Sequence, residues 1–469
     1  MQAAGPSGYV GFGSFFSDNV EELIAQSEAE YTAPGTPFPD APDWPSPPLL
    51  QFGTAARAQF LLDFETWTFV NHGAFGAAAK LPFEAAHQWR RHCEQQPLLH
   101  IDRLLFPHIV HSTRALAAHL GARPSDVVFG PNATTLLNAV IFSAPLAPGD
   151  VVYSLSVGYG SVKKMLKLAA SEAGARWLEV DVRFPVTTPA ELVELVRCTL
   201  PLETKLAVFD AVTSNTALAL PVAELAAAVK AACPDCAVLI DAAHALGTAP
   251  QLDIPQLGVE FWVSNCHKHL CSPRGCAVLW AAPHARAALR PVVVSHGTGS
   301  GFTSDFIWDG CRDYAPVLAI PHTLRWWAAV GMDRAVAYMR ATLAAGVKAL
   351  LDKWQTHTLV PAAMSAPTMA LVRLPADAHP HGDTTAERGR QSPAEVAAEA
   401  LLARSPPSDD GPATSADAKG WQDALFGRHV ECPVKCIQGR LYVRISCHIY
   451  NTVDDYTRLG DAVLAILNR

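Results

Sequence analysis

The chain has no excess of positive charge: 36 lysines and arginines face 44 aspartates and glutamates, giving a formal charge of −8 and a pI near 6.1. Nucleic-acid binding, which depends on neutralising phosphates, is therefore not expected. It also lacks any uninterrupted apolar stretch approaching the ~20 residues of a membrane-spanning helix, although hydrophobic residues make up 50% of it. A soluble protein with no membrane contact is expected. No second cysteine pair at zinc-ribbon spacing follows Cys233-Pro-Asp-Cys236, so no metal site is expected. Arginine is absent before Arg57, while Asp18, Glu21 and Glu22 come early, unlike an organellar transit peptide. The 11 scattered cysteines, with no signal peptide before them, read as reduced thiols. A cytoplasmic location follows as the expectation, with an organelle left open.

What is present is an alternation. From DVVFG (126–130), short β-branched runs alternate with alanine- and leucine-rich helical runs. Such alternation implies βαβ units, an α/β class and a mostly parallel sheet flanked by helices. With 469 residues the chain is too long for one core. The expected organisation is an N-terminal, partly extended arm at 1–64, a large α/β domain at 65–320 and a smaller α+β domain at 321–469. A Pro-, Ser- and Asp-rich stretch at 376–420 reads as a solvated insertion.

The apolar run AVLIDAAH places Asp241 at the end of a strand, and FWVSN leads into Asn265-Cys-His-Lys268-His-Leu. Burial disfavours the ammonium form of Lys268, and the neutral amine condenses with an aldehyde. A carboxylate at Asp241 keeps a ring nitrogen protonated, so that the ring accepts electrons from an adjacent carbanion. The pair is what a pyridine-ring cofactor requires. GPNATTLLNAV (130–140) follows a strand and opens a helix, where amides and the Thr134 hydroxyl suit a phosphate, although Asn132 could simply be a helix cap.

The succession NHGAFG (71–76), GPNATTLLNAV, VLIDAAHALG (238–247), SNCHKHL (264–270), WDGCRDY (308–314) and LYVRISCHIYN (441–451) resembles the class V aminotransferases, which are fold-type I pyridoxal-phosphate enzymes. The resemblance spans roughly residues 65 to 469. Within the family it is most similar to the branch of plant-type L-cysteine desulfhydrases, hercynylcysteine sulfoxide lyases and isopenicillin N epimerase-like proteins. It implies pyridoxal 5'-phosphate as cofactor, with Ala133, Thr134, Asn265 and His267 at the phosphate. It places Tyr159 on the ring face, His244 near the ring hydroxyl, Ser214 near that hydroxyl or the substrate carboxylate, Asp241 at the ring nitrogen and Lys268 as the covalent anchor and base. Arg444 would grip the substrate carboxylate, a task suited to a planar guanidinium. Asn71, Gly73, Asn215 and His296 are further substrate candidates. Cys311 stands where the family uses a threonine to reach the phosphate of a neighbouring subunit, which implies a homodimer with active sites near the interface; a thiol is a poorer donor than a hydroxyl.

The reaction expected is a β-elimination that breaks a C–S bond of L-cysteine, or of a cysteine-derived thioether or sulfoxide. The products would be sulfide or another sulfur leaving group, pyruvate and ammonia. Desulfuration, epimerisation and transamination pass through the same carbanion and stay as alternatives, as does a cofactor-free scaffold. A desulfurase needs a mobile thiol, whereas Cys432 and Cys436 precede Arg444 in what reads as a hairpin with its turn at Gln438-Gly439.

Overall fold

A computed structural model of the chain describes residues 20–39, 51–375 and 413–468. The strands in this range are β1 (Thr68–Phe69), β2 (Val127–Gly130), β3 (Val151–Leu155), β4 (Arg176–Val180), β5 (Thr204–Asp210) and β6 (Ala237–Asp241). They continue with β7 (Phe261–Asn265), β8 (Ala277–Ala281), β9 (Met369–Arg373), β10 (Val430–Glu431), β11 (Val434–Ile437) and β12 (Arg440–Ser446). Seven of them form one sheet in the order β2-β8-β7-β6-β5-β3-β4. Every residue of β2, β3, β7 and β8 is buried, as continuous apolar runs require when helices cover both faces. β4, the edge strand, breaks the pattern with exposed Arg176 and Glu179.

β3, β4, β5, β6 and β7 pair in parallel, while β8 runs against both β2 and β7. β8 is reversed because β7 turns back through residues 266–276, where the Cys266 amide donates to the Cys276 carbonyl at 3.1 Å. An antiparallel return needs no crossover helix. That returning loop carries Lys268. The parallel strands therefore end on one edge, and ligands in open α/β sheets gather there.

A second, antiparallel sheet has the order β11-β12-β9. The hairpin read from the sequence is present: Gln438 (φ 49°) and Gly439 (φ 74°) join β11 to β12, with Ile437 opposite Arg440. Two positive φ values suit the right-handed twist of the strands. The alanine-rich stretch after residue 320 is two helices, Ile320–Val330 and Met332–Trp354, separated by Gly331 at φ 81°. The second packs against the helix Val453–Leu467, with the Trp354 indole donating to the Gly460 carbonyl at 3.2 Å.

Within the described part of the expected N-terminal arm, a short helix forms over Val20–Ala25. Arg114, from the helix Leu105–His119, donates to the carbonyls of Ile24 (3.4 Å) and Gln26 (2.8 Å), and so captures the carbonyls at which the helix ends. Most of the proline-rich run (32–50) and of the insertion (376–420) lies outside the described residues. Where the chain resumes, Thr414 caps an ordered helix, Ser415–Phe426, so the last residues assigned to the insertion are folded.

Gly346 faces the fully buried ring of Tyr456, and a Cβ there would lie 2.2 Å from it. Overpacking of this kind costs about 1–3 kcal/mol, more than the ~1 kcal/mol that alanine gains over glycine in a helix. Gly346→Ala is expected to lower the urea midpoint of unfolding. Gly420→Ala, with open space around it, should raise it.

Candidate active site

At the carboxyl edge of the large sheet the chain leaves β2, β3, β5, β6 and β7 in turn, and a cavity of about 150 Å³ opens between these exits. Lys268 stands in its wall, with Asp241 ending β6, His244 just beyond it and Tyr159 following β3. Burial lowers the Lys268 amine to about 8, opposed by the Asp241 carboxylate and reinforced by the Arg444 guanidinium. Its Nζ lies 3.1 Å from Nε2 of His244, whose imidazole burial holds well below its ordinary range. A neutral His244 accepts from the amine. Asp241 is only 4% exposed and accepts the Ala243 amide at 3.0 Å with one oxygen, leaving the other available to a ring N–H.

The helix Ala133–Ser143 begins at this edge. Both readings of Asn132 and its neighbours have a part: the Asn132 side chain caps the helix, accepting from the Thr135 amide at 2.9 Å. The Ala133 amide is engaged by Oδ1 of Asn265 at 2.9 Å, which removes it as a free phosphate donor. Among the described residues, the Thr134 amide and hydroxyl donate to no protein group and face the cavity. His267 sits beside them with Nδ1 3.2 Å from the Cys276 carbonyl, and burial lowers it to about 4. The neutral ring that donates through Nδ1 presents Nε2 as an acceptor. It can donate to an anion only by taking up a second proton, which a phosphate dianion favours.

Arg444 on β12 reaches toward the large sheet, donating to the Ser214 carbonyl and, at 3.3 Å, to Oδ1 of Asn71. It is 4% exposed, its Nε has no partner, and it forms no ion pair among the described residues. Burial lowers it only to about 10, so it stays cationic at neutral pH. A buried guanidinium without a carboxylate is a costly arrangement that an anionic ligand would relieve.

Other predicted residues fall differently. Tyr159, 41% exposed at the cavity, is not core packing. Ser214 lines the cavity, whereas Asn215 is exposed and does not. The Gly73 amide donates to Ser446 at 3.1 Å, so it is unavailable to a substrate in this arrangement. His296 and Cys311 are exposed on loops and do not line the cavity of their own chain.

Two features escaped the sequence. Asp210, at the end of β5, lines the cavity beside Asp241. It could have been noticed as a second carboxylate closing an apolar run, KLAVFD. His72 bridges Tyr450 and the lysine loop: the Tyr450 hydroxyl lies 2.8 Å from Nδ1, and Nε2 donates to the Lys268 carbonyl at 3.1 Å. Burial lowers His72 to about 4, which leaves it neutral, as this relay requires.

His72, Cys271 and His448 converge closely enough to raise the question of a metal. The rings of His72 and His448 stack at 4.0 Å with an interplanar angle of 15°. Their in-plane lone pairs are then nearly parallel and do not meet at one ion, and both His72 nitrogens are already engaged. The cluster supports the lysine loop. Cys432 is buried and its thiol is pushed up by burial, while Cys436 donates to the Ala413 carbonyl at 2.9 Å. Neither is a mobile nucleophile.

These residues fit a pyridoxal phosphate. Asp241 has an oxygen for the ring nitrogen, Lys268 an amine of lowered basicity, and Thr134 free donors at a helix start.

Residues 104–385 match the family model described as Aminotransferase class-V. The chain is 29% identical over 413 residues to a putative L-cysteine desulfhydrase 1 of Oryza sativa subsp. japonica, covering 84% of this chain and 82% of that protein. It is 27% identical to an isopenicillin N epimerase of Amycolatopsis lactamdurans, covering 87% and 97%. A solved structure of a C-DES variant, with glycine covalently linked to its PLP cofactor, superposes with a TM-score of 0.70 at 16% identity, covering 87% and 99%. That likeness establishes a fold-type I architecture.

Two measurements test this geometry. Amine-selective labelling of Lys268 should reach half its limiting rate near pH 8, against about 10.5 for an ordinary lysine, because the reactive neutral form appears once pH exceeds the lowered value. Tyr450→Phe leaves the buried Nδ1 of His72 without its donor, so unfolding free energy should fall by about 1–3 kcal/mol in denaturant titration.

Proposed function

The chain belongs to the aminotransferase class-V family, and from that premise and the cavity geometry we propose a pyridoxal-phosphate-dependent C–S β-lyase acting on L-cysteine or a cysteine-derived thioether or sulfoxide. The observation that carries it is a buried amine held near 8 in company with a buried, carboxylate-free guanidinium. One supplies a base, and the other receives the substrate's carboxylate. The choice of sulfur chemistry rests on the named activity of the desulfhydrase relative.

Pyridoxal phosphate, when bound, supplies an aldehyde for amines and a ring that withdraws electrons from the α-carbon. Arg444 holds the α-carboxylate by a forked pair of hydrogen bonds, with Asn71 fixing one of its nitrogens. The neutral Lys268 amine removes the α-proton, and His244 steadies it through the 3.1 Å contact. Asp241 holds a proton on the ring nitrogen. Thr134, Asn265 and His267 take the phosphate, and Tyr159 covers the ring. The sulfur departs with the electrons of the C–S bond, and the three-carbon remainder takes up water to yield pyruvate and ammonia.

The reading extends to assembly. Phe75, 74% exposed at the cavity, and exposed Val292, Val293 and Val294 offer apolar surface to a second copy, consistent with a homodimer around the active sites. Cys311 would then meet the partner's phosphate. We read the seven-stranded sheet as the core of a large domain at 65–320 and the three-stranded sheet as that of a smaller one at 321–469, with β1 and β10 pairing in parallel between the two segments. No described helix is long and apolar enough to cross a membrane, and the free thiols suit a reducing compartment such as the cytoplasm.

Protein supplied with pyridoxal phosphate and L-cysteine should release sulfide, pyruvate and ammonia in equal amounts. Alanine with a protein-bound persulfide would identify a desulfurase instead, and inverted stereochemistry an epimerase. Borohydride reduction should attach the cofactor to Lys268. Arg444→Lys should raise KM by about 10- to 100-fold, the loss expected for one charged hydrogen-bonding fork.

A further inference from the structure

Two carboxyl groups stand side by side in the cavity wall, and the proposed chemistry uses only one. Asp210 ends β5, Asp241 ends β6, and the two are direct register partners in a parallel pair. Their side chains therefore leave the same face of the sheet from origins ~5 Å apart. They are 5% and 4% exposed. Neither forms an ion pair among the described residues.

The groups around them do not supply two compensating charges. From the helix Gly160–Glu172, Lys163 is committed to Glu179 at 2.6 Å and to the Ser156 carbonyl at 3.0 Å. From the turn before that helix, the Tyr159 amide meets Asp210. From the loop after β7 comes Lys268, shared with His244, and from β12 comes Arg444, turned to Ser214 and Asn71. Burial and mutual repulsion both raise the proton affinity of the Asp210–Asp241 pair, and strongly so at Asp210.

We propose that Asp210 is the proton-carrying partner of Asp241: the two hold one proton and one negative charge between them at neutral pH, the charge resting on Asp241 and the proton on Asp210 when a basic ring nitrogen lies against Asp241. The inference rests on the cofactor reading only in its last clause. Asp210 is a positioning residue, acting on the ring through Asp241. While it is neutral the ring nitrogen faces a single charge; when it ionises at alkaline pH, a second charge strengthens the hold on the ring proton. An isolated aspartate at 241 would have no such step.

The test begins without cofactor. Infrared spectra of the cofactor-free protein at pH 7 should contain the carbonyl band of a buried carboxylic acid that is lost in Asp210→Asn, whose amide keeps the shape and a donor. A band unaltered by the substitution overturns the proposal. Should the variant fail to fold, carbon NMR of wild-type protein labelled at aspartate carboxyls decides: one buried aspartate still protonated above pH 7 supports the pair, and full ionisation of every aspartate by pH 7 overturns it. With pyridoxal phosphate added, the visible absorption of wild type should show an alkaline transition that Asp210→Asn shifts by about 1 pH unit or abolishes. An unchanged transition overturns the coupling to the ring. Absence of any visible band in wild type would instead reject the cofactor reading, and the infrared result would still decide the proton-sharing pair.

Discussion

The site depends on ionisable groups held out of water with too few fixed partners. Lys268, Asp241, Asp210 and Arg444 are brought together by strand ends and one hairpin strand, and no ion pair among the described residues neutralises them. In a finished protein core such an arrangement would be eliminated or paired. Here burial lowers the lysine's basicity, and the lack of a fixed carboxylate partner leaves the arginine open to one on a ligand. Binding a zwitterionic amino acid and an anionic, aromatic cofactor would satisfy several of these groups at once.

The support beneath the lysine is neutral by the same logic. His72, His244, His267, His269 and His448 all have their proton affinity lowered by burial, so the floor adds hydrogen bonds and bulk without adding charge. The Trp327 indole donates to the Leu270 carbonyl at 2.8 Å, and His72 engages Lys268 two residues earlier. The loop is held by its backbone, which leaves the lysine side chain free to exchange partners.

Much of this was legible in the sequence because the chemistry follows local pattern. A carboxylate closing an apolar run, or a lysine just past one, lies at the carboxyl end of a strand whatever the rest of the fold does. Asp241, Lys268 and the Thr134 segment were found that way. Residues placed by long-range packing were harder to find. His72 becomes important only once Tyr450, far along the chain, supplies its donor. Asp210 acquires meaning from register, since it needs β5 and β6 side by side. The break at Gly331 is a case of alanine-rich composition hiding a single left-handed residue. His296 and Asn215 show the converse: nearness in a motif did not bring them to the cavity wall.

Gly76 sits at φ 66° with space for no side chain, since a Cβ would lie 1.9 Å from the His267 carbonyl oxygen; its own carbonyl accepts from Arg274 at 3.0 Å. The stretch NHGAFG (71–76) is thus riveted to the lysine loop at one end and, through Gly73 and Ser446, to the smaller sheet at the other. Between these two fixed points only Ala74 and Phe75 line the cavity, so the bore of its mouth on this side is set by two side chains.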